Sequence, residues 1–276
     1  MSDTHDRHDK VRKSSPQYDV LLHCGDIAED GLPQSIKTAL DAFSKVDAEL
    51  KLFIAGNHDI ALVNHYYLFE GGTEENHLKA RSLLSTPSIR FLEEGTHEFT
   101  LKSGAHFKIY ISPFTPKYGA SPFQYPSNED RFNEAENTPS WAKDVGSESS
   151  VIPSGAGVDI MGAMGCEHLR RAISRVRPRL HCFGHVHTGY GARRVRYDDK
   201  RRGGDDLDRM DPLPQEWVGK NQMKRKGYAS LPPGSAEAFK KNAGETLAVN
   251  AAVVDGEGKP EDRPWLVELD LPKWNT

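Results

Sequence analysis

Three short apolar runs, each ending abruptly in glycine and polar residues, limit most strongly what this chain can fold into. The runs lead into three polar clusters, Gly25-Asp26, Gly56-Asn57-His58-Asp59 and Gly184-His185-Val186-His187. Short apolar runs bounded by glycine are typical of strands that are buried on both faces of a sheet. Ligands of such sheets gather at the carboxyl ends of the strands, so we expect the three polar clusters to lie close together.

Helical spacing between these runs predicts crossover helices. The first periodic set follows Gly31 and Pro33 and consists of Ile36, Leu40, Phe43, Val46 and Leu50. The second set precedes the third run, ends at Pro178 and consists of Leu169, Ile173 and Val176. Helices that connect parallel strands form βαβ units, so the sequence predicts an α/β fold.

We expect residues 1–276 to form one domain. Its remaining segments have the patterns of edge strands and loops. Residues 107–111 and 247–253 alternate in the manner of half-exposed strands. Residues 112–154 are rich in Pro, Ser, Asn and aromatic residues without a period, which predicts a long loop that shapes substrate choice. Residues 198–226 are dense in Arg, Lys, Asp and Gly and predict a mobile insertion.

Composition narrows the classes of partner. The formal net charge of −4 combines many charges of both signs, so no overall field favours nucleic acid or an anionic membrane. The basic groups at 201–202 and 224–226 have acidic neighbours at 205–208, which favours a solvated loop over a nucleic-acid contact.

The cysteines and the first residues bear on the compartment. Cys24, Cys166 and Cys182 are widely spaced and form no Cys-x-x-Cys pattern, which favours a reducing setting. The polar residues 1–13 do not resemble a secretory signal, and no apolar run approaches the ~18 residues of a membrane span. We therefore expect a soluble, cytoplasmic protein.

The three polar clusters offer the side chains that hold borderline divalent metals. Carboxylate, amide oxygen and imidazole ligands are supplied by Asp26, Asn57, His58, His185 and His187, together with Asp3 and His5 near the start. Two neighbouring metals need a bridging ligand, and the carboxylate of Asp26 is the natural candidate. Such a pair activates a water and polarises a phosphoryl group.

Simpler explanations exist for each cluster taken alone. A Gly-Asp pair after a strand is usually a turn. Asp3-Thr4-His5 could equally belong to a disordered polar terminus, since Asp6, His8 and Asp9 follow closely. Three strand-end clusters in one chain favour a shared site over three independent turns.

The motifs resemble four of the five sequence blocks of calcineurin-like metallophosphoesterases, in the same order along the chain. The matching blocks are Asp3-Thr4-His5, Gly25-Asp26, Gly56-Asn57-His58-Asp59 and Gly184-His185-Val186-His187. Residues 22–26 and 184–191 further resemble the branch called metallophosphoesterase domain-containing proteins. The resemblance spans from Asp3 to about Val195 and implies a four-layered α/β/β/α sandwich.

The resemblance also implies roles for these residues. One metal would be held by Asp3, His5, Asp26 and His187. The second would be held by Asp26, Asn57 and His185. His58 would act beside the scissile phosphate as a general acid or charge stabiliser, and Asp59 would orient its ring. The metals of this family are commonly manganese, iron, zinc or nickel, and its substrates are phosphomonoesters or phosphodiesters.

The sequence departs from the family pattern in two places, and the second departure weakens the expected second metal site. A hydrophobic first strand should fix Asp3 and His5, yet only Met1-Ser2 precedes them. A strand ending in His-Gly should supply an imidazole to the second metal. Here 158–161 leads directly into 162–166, as if that segment had been deleted. His168 and His181 are poor replacements, because one falls on a predicted helix and the other inside a predicted strand.

The sequence therefore predicts a metal-dependent hydrolase of small phosphate esters with a weak second metal site. The alternative from another class is a catalytically impaired binding or regulatory protein with the same fold. Nucleic-acid binding by the basic loop is a third possibility, and it would weaken steeply with salt.

Overall fold

The computed structural model describes residues 1–7, 17–133, 151–154, 166–200 and 209–273, with 151–154 described by their backbone. The strands are β1 (Tyr18–His23), β2 (Ala48–Phe53), β3 (Arg90–Phe91), β4 (Gly95–Thr100), β5 (His106–Ile111), β6 (Thr115–Pro116), β7 (Gln124–Tyr125), β8 (Val151–Ser154), β9 (Leu180–Phe183), β10 (Gly191–Tyr197), β11 (Met210–Pro212), β12 (Ala229–Ser230), β13 (Thr246–Asn250) and β14 (Trp265–Leu266). The helices are α1 (Pro33–Ser44), α2 (Asn64–Phe69), α3 (Glu74–Ser82), α4 (Glu167–Val176), α5 (Lys220–Lys226) and α6 (Pro233–Lys241).

Two sheets form the centre of the fold. The first is parallel, in the order β1-β2-β3. The second has the order β11-β10-β13-β9-β8-β5-β4, and its inner strands β13, β9, β8 and β5 are mutually parallel. Parallel strands present their carboxyl ends at the same edge, so the residues after β1, β2 and β9 are brought toward one another.

Three groups of buried apolar side chains separate the layers. The inter-sheet core joins the two sheets and includes Leu52, Ile109, Leu180, Leu247 and Val249. The helical core packs α1 and α3 on the outer face of the first sheet and includes Leu21, Ile36, Leu40, Phe53 and Ala80. The outer core packs α4 on the far face of the second sheet and includes Tyr110, Leu169, Ile173, Phe183 and Ala248. This stacking confirms the predicted α/β/β/α order of layers.

The two predicted crossover helices are present, and the first is shorter than predicted. Pro33 occupies the beginning of α1, where its missing N–H costs no hydrogen bond. The helix ends at Ser44, whereas the apolar spacing continues to Leu50. Leu50 belongs instead to β2, and Val46 packs against the helical core from the connection between them. The spacing of apolar residues cannot locate the end of a helix when the same spacing continues into the next strand.

The prediction of a half-exposed strand over 247–253 is wrong. All five residues of β13 are buried, because β13 lies between β9 and β10 inside the second sheet. Leu247 and Val249 face the inter-sheet core, while Ala248 faces the outer core. The alternation therefore reflects two apolar environments, not one buried and one exposed face.

The two predicted irregular stretches contain regular elements where the structure describes them. Residues 112–154 include β6, β7 and the backbone of β8, which inserts between β5 and β9. Residues 198–226 include β11 and α5, whose side chains Met210 and Met223 are buried. The mobility of 198–226 stays a prediction. The predicted run 158–161 and the glycine-rich 162–165 lie outside the described residues.

Across the described part of the chain, we find no helix that combines the length and the apolar character needed to cross a membrane.

Truncation of Leu52 should lower the free energy of unfolding strongly, because its side chain is 1% exposed between the two sheets. We expect Leu52→Ala to cost about 2–5 kcal/mol through lost burial and a residual cavity. The matched control is Leu78→Ala on α3, whose residue is 58% exposed and should change stability by less than about 0.5 kcal/mol. Chemical denaturation of both variants measures the difference, and equal losses would contradict this assignment of the core.

Candidate metal centre

The first residues of the chain lie between the two sheets and are held from both sides. The N–H of Ser2 donates to the carbonyl of Ala251, and the N–H of Cys24 donates to the carbonyl of Met1. The N–H of Asp3 then donates to the carbonyl of Gly25. Ser2 forms only an isolated bridge, so residues 1–7 contain no full first strand, as predicted. The N–H of His5 also donates to the carbonyl of Asp26, so both Asp3 and His5 are fixed and do not belong to a disordered terminus.

Two glycines are required in the loops after β2 and β9, because neighbouring residues approach their backbones too closely for a side chain. A Cβ on Gly56 would lie 2.3 Å from Oδ1 of Asp26. A Cβ on Gly184 would lie 2.1 Å from Oδ2 of Asp3. Real Cβ atoms do not tolerate such distances, so each of these two glycines permits an acidic side chain to pack against its loop.

Four of the predicted ligands have left-handed backbone conformations. The φ angles are 51° for Asp3, 42° for His5, 55° for Asp26 and 68° for His185. Aspartate and histidine enter this region more readily than most residues, but it still costs energy. Such conformations are typical of functional sites, where the surrounding structure imposes them.

Asp3 is the acceptor at the centre of the cluster. The N–H of His185 donates to both of its carboxylate oxygens, at 2.9 and 3.0 Å. The ring Nε2 of His187 lies 3.2 Å from Asp3 Oδ1. Asp26 lies next to this segment, because its main-chain carbonyl accepts the N–H groups of Thr4 and His5 at 3.0 and 3.2 Å. The late Gly-His-Val-His cluster therefore meets the early carboxylates, as the sequence predicted.

His5 lies between two other histidines. Its ring centroid is 4.6 Å from that of His58 and 5.2 Å from that of His187. One ligand atom from each of Asp3, His5 and His187 falls within 4.8 Å of the others. The same holds for His5, Glu29 and His58. Sequence reasoning missed Glu29, because a single acidic residue after Asp26 carries no motif signal.

Asn57 and His185 meet on the other side of the cluster. Asn57 Oδ1 lies 2.8 Å from Nδ1 of His185. The Tyr118 ring makes an edge contact with the His185 ring at a centroid distance of 4.8 Å. Tyr118 lies in the predicted 112–154 excursion and is 56% exposed. All six predicted ligands, Asp3, His5, Asp26, Asn57, His185 and His187, therefore lie in one cluster.

Two buried carboxylates shape the electrostatics of the cluster. Asp3 and Asp26 are 1% and 3% exposed. Burial raises the pKa of Asp26 well above its usual value, and the negative charges of Asp3 and Asp59 raise it further. Burial also opposes ionisation of Asp3, but its hydrogen bond and attraction to His187 outweigh burial and lower its pKa. The pair can ionise fully only with compensating positive charge nearby.

The histidines divide into two kinds. Burial lowers the pKa of His5 and of His185, which favours the neutral ring that binds metal ions. The hydrogen bond to Asp3 raises the pKa of His187.

The predicted role of Asp59 in orienting the His58 ring is wrong. Nδ1 of His58 lies 2.8 Å from the carbonyl oxygen of Glu29, so this carbonyl orients the ring. The Asp59 carboxylate accepts backbone N–H groups of Gly56, Ile27 and Ala28, at 2.8 to 3.3 Å. Burial raises the pKa of Asp59 to about 6 despite these bonds. Asp59 ties together the loops after β1 and β2.

The donor set fits a divalent cation. Nδ1 of His187 lies 3.3 Å from the carbonyl of Asp255, which can only accept a hydrogen bond, so the lone pair of the neutral ring is on Nε2. That lone pair faces the Asp3 carboxylate, and the two repel unless a proton or a cation lies between them. The buried Nε2 of His5 has no hydrogen-bond partner among the described residues. A ligating histidine commonly donates its other N–H to a carbonyl, as His187 does here.

Neither His168 nor His181 takes the place of the histidine that is missing from the proposed second metal site. His168 lies on α4, where its Nδ1 is 3.1 Å from an Asp130 carboxylate oxygen. His181 lies within β9 and stacks on Phe183. The backbone of β8 ends at Ser154, beside Phe183, so the strand that approaches the cluster carries no histidine.

Comparisons with known proteins give the same family as the motifs. Residues 1–189 match the calcineurin-like phosphoesterase family. The chain is 30% identical over 204 residues to probable rhamnogalacturonate lyase C of Emericella nidulans, covering 72% of this chain and 18% of that protein. It is 30% identical over 219 residues to human metallophosphoesterase domain-containing protein 1, covering 69% of this chain and 60% of that protein. The matches thus span less than two thirds of each relative.

A structural comparison aligns the chain with the crystal structure of TT1561 from Thermus thermophilus. The TM-score is 0.42 at 9% identity, and the alignment covers 77% of this chain and 96% of that one.

The family assignment rests on the sequence match, which extends over residues 1–189 of the 276 in the chain. That range includes all four motif blocks and every residue of the cluster around Asp3 and Asp26. The chain therefore belongs to the calcineurin-like phosphoesterases, a family of metal-dependent hydrolases of phosphate esters.

Proposed function

We propose that this protein hydrolyses small phosphate esters, phosphodiesters or phosphomonoesters, at a site that takes two divalent metal ions. One observation carries the proposal: the ends of three strands and the first residues of the chain converge on the buried acids Asp3 and Asp26. Such buried negative charge with neutral imidazoles around it is costly without cations. Metal-assisted hydrolysis is the chemistry that this donor set serves best.

The ligands divide into two groups that share Asp26. Asp3, His5, Asp26 and His187 would hold the first ion, and Asp26, Asn57 and His185 the second. Bound ions would polarise the phosphoryl oxygens and lower the pKa of a bound water. We propose manganese, iron, zinc or nickel, since the ligands are a mixture of carboxylate, amide oxygen and imidazole.

His58 would donate a proton to the leaving oxygen of the ester. Its Nδ1 donates to the carbonyl of Glu29, which leaves Nε2 to hold or release a proton. The backbone N–H of His58 donates to Oδ1 of Asp26 at 2.7 Å, so the position of this residue is coupled to the bridging carboxylate. A half-buried ring that is fixed at one nitrogen and lies at the cluster suits a general acid.

The second ion would bind more weakly than the first. Beyond the bridge Asp26, it has one amide oxygen and one imidazole, and neither His168 nor His181 reaches it. Reduced activity follows from a weak second site. The rival function, a binding or regulatory protein with this fold, is favoured by the same shortage of ligands and is separated from hydrolysis by the experiments below.

The substrate would contact the part of the 112–133 segment that borders the cluster. Tyr118 is an exposed aromatic residue of this segment, and it touches a proposed ligand, His185. A small phosphate ester is therefore the proposed partner, in a cytoplasmic setting and without nucleic acid or membrane.

Removal of the Asp26 carboxylate should abolish hydrolysis, and removal of the His58 imidazole should slow it strongly. We expect Asp26→Ala to reduce cleavage of a chromogenic phosphodiester with added manganese to the background rate. His58→Ala should lower kcat by about 10²–10⁴-fold, the usual contribution of a general acid. Steady-state rates of the purified variants measure both effects.

The matched control for these variants is His168→Ala, which removes an imidazole that pairs with Asp130 outside the cluster. It should keep the rate of the unmodified protein. Equal background rates in all of these proteins would refute hydrolysis and favour the binding protein.

Metal content should reveal the asymmetry of the two sites. We expect about one tightly held ion per chain after removal of excess metal, because the second site has too few protein ligands. Elemental analysis of the desalted protein gives this ratio, and Asp3→Ala should lower it. A ratio near two without added metal would contradict the weak second site.

A further inference from the structure

Two cysteines that are far apart in the sequence meet just behind the metal centre. The Sγ atoms of Cys24 and Cys182 are 3.7 Å apart, and both thiols are free. Cys24 follows β1 directly and precedes Gly25-Asp26, while Cys182 lies in β9 just before Phe183-Gly184-His185. The sulfur pair therefore joins the two sheets at the strand ends that carry proposed ligands.

The pair is buried but adjacent to an opening. Cys24 is 1% exposed and Cys182 is 6% exposed, and both belong to the inter-sheet core. Cys182 also lines a cavity of about 580 Å³ between the sheets. The rim of this cavity includes the exposed residues Asp19 and Glu268, so the cavity reaches solvent. A small uncharged oxidant can approach Cys182 by this route.

Cys166 provides an internal contrast. It is also buried, but it lies in the outer core on the far face of the second sheet. Its Sγ accepts a hydrogen bond from the Tyr125 hydroxyl at 3.1 Å. The chain has three cysteines, so Cys166 has no thiol left to pair with once Cys24 and Cys182 have met.

We propose that Cys24 and Cys182 form a modification site, a dithiol that a hydroperoxide oxidises to a disulfide between the two sheets. With hydrogen peroxide, the sulfur of one of the two cysteines attacks one oxygen, which breaks the O–O bond and leaves a sulfenic acid and water. The other cysteine then attacks the sulfenic sulfur, which forms the S–S bond and releases a second water. Two thiols and one peroxide thus give one disulfide and two waters.

The geometry requires only a small movement. A disulfide has an S–S distance of about 2.05 Å, so the two sulfur atoms must approach by about 1.7 Å from their 3.7 Å separation. The neighbouring cavity gives Cys182 room to change its side-chain torsion. The bond would close a loop from residue 24 to residue 182 and fix the spacing of the strand ends that hold Asp26 and His185.

The test is hydrogen peroxide treatment of the full chain, followed by quenching, denaturation and alkylation. We expect the alkylated thiols to fall from three to one, with Cys166 remaining free. A non-reducing digest should contain a peptide with Cys24 linked to one with Cys182, and a reducing agent should separate them. The thermal unfolding temperature of the oxidised protein should rise, because the disulfide restricts the unfolded chain.

Variants distinguish this pair from general oxidation. Cys166→Ala should still form the linked peptide, whereas Cys182→Ala should leave Cys24 as a free thiol. Failure to form the link under peroxide would overturn the proposal. So would sulfinic or sulfonic acid at Cys182 without a link, or a loss of Cys166 thiol equal to that of the pair. None of these readouts depends on hydrolytic activity, so they stand apart from the proposed function.

Discussion

The meeting of two buried carboxylates, Asp3 and Asp26, is the constraint on which the rest of this site depends. Loops after β1, β2 and β9 approach so closely around them that glycine is needed at Gly56 and Gly184. The His185 N–H fixes Asp3, and the His58 N–H fixes Asp26. The backbone itself therefore positions both acids, and the imidazoles are carried into place by the same loops.

The cluster around Asp3 and Asp26 has a free-energy cost, which the rest of the fold must offset. Left-handed backbone at four proposed ligands and two buried acids both oppose folding. Asp59 offsets part of that cost by accepting N–H groups from two loops. The three apolar cores supply the remaining support, because each sheet is packed on both faces. A cation bound at Asp3 and Asp26 would relieve the charge that burial makes unfavourable.

The two sides of the cluster differ in how closely their side chains gather. On one side, potential ligand atoms of Asp3, His5 and His187 lie within 4.8 Å of one another. On the other side, Oδ1 of Asn57 lies 2.8 Å from Nδ1 of His185. The free thiols of Cys24 and Cys182 lie 3.7 Å apart, close to the ends of β1 and β9 that lead into the cluster. Oxidation there would act on the spacing of the loops, not on the ligands themselves.

The sequence by itself determined the α/β class, the crossover helices and six of the residues that meet in the cluster. Local patterns sufficed for Asp26, Asn57, His185 and His187, because a glycine and a polar group after an apolar run mark the carboxyl end of a buried strand. Asp3 and His5 follow no such run, and the resemblance to the family supplied them. Only the tertiary structure decided that Glu29 orients His58, that β13 is buried on both faces and that Cys24 meets Cys182. These depend on which strands become neighbours, and residues so far apart in sequence leave no periodic trace of contacts made across the fold.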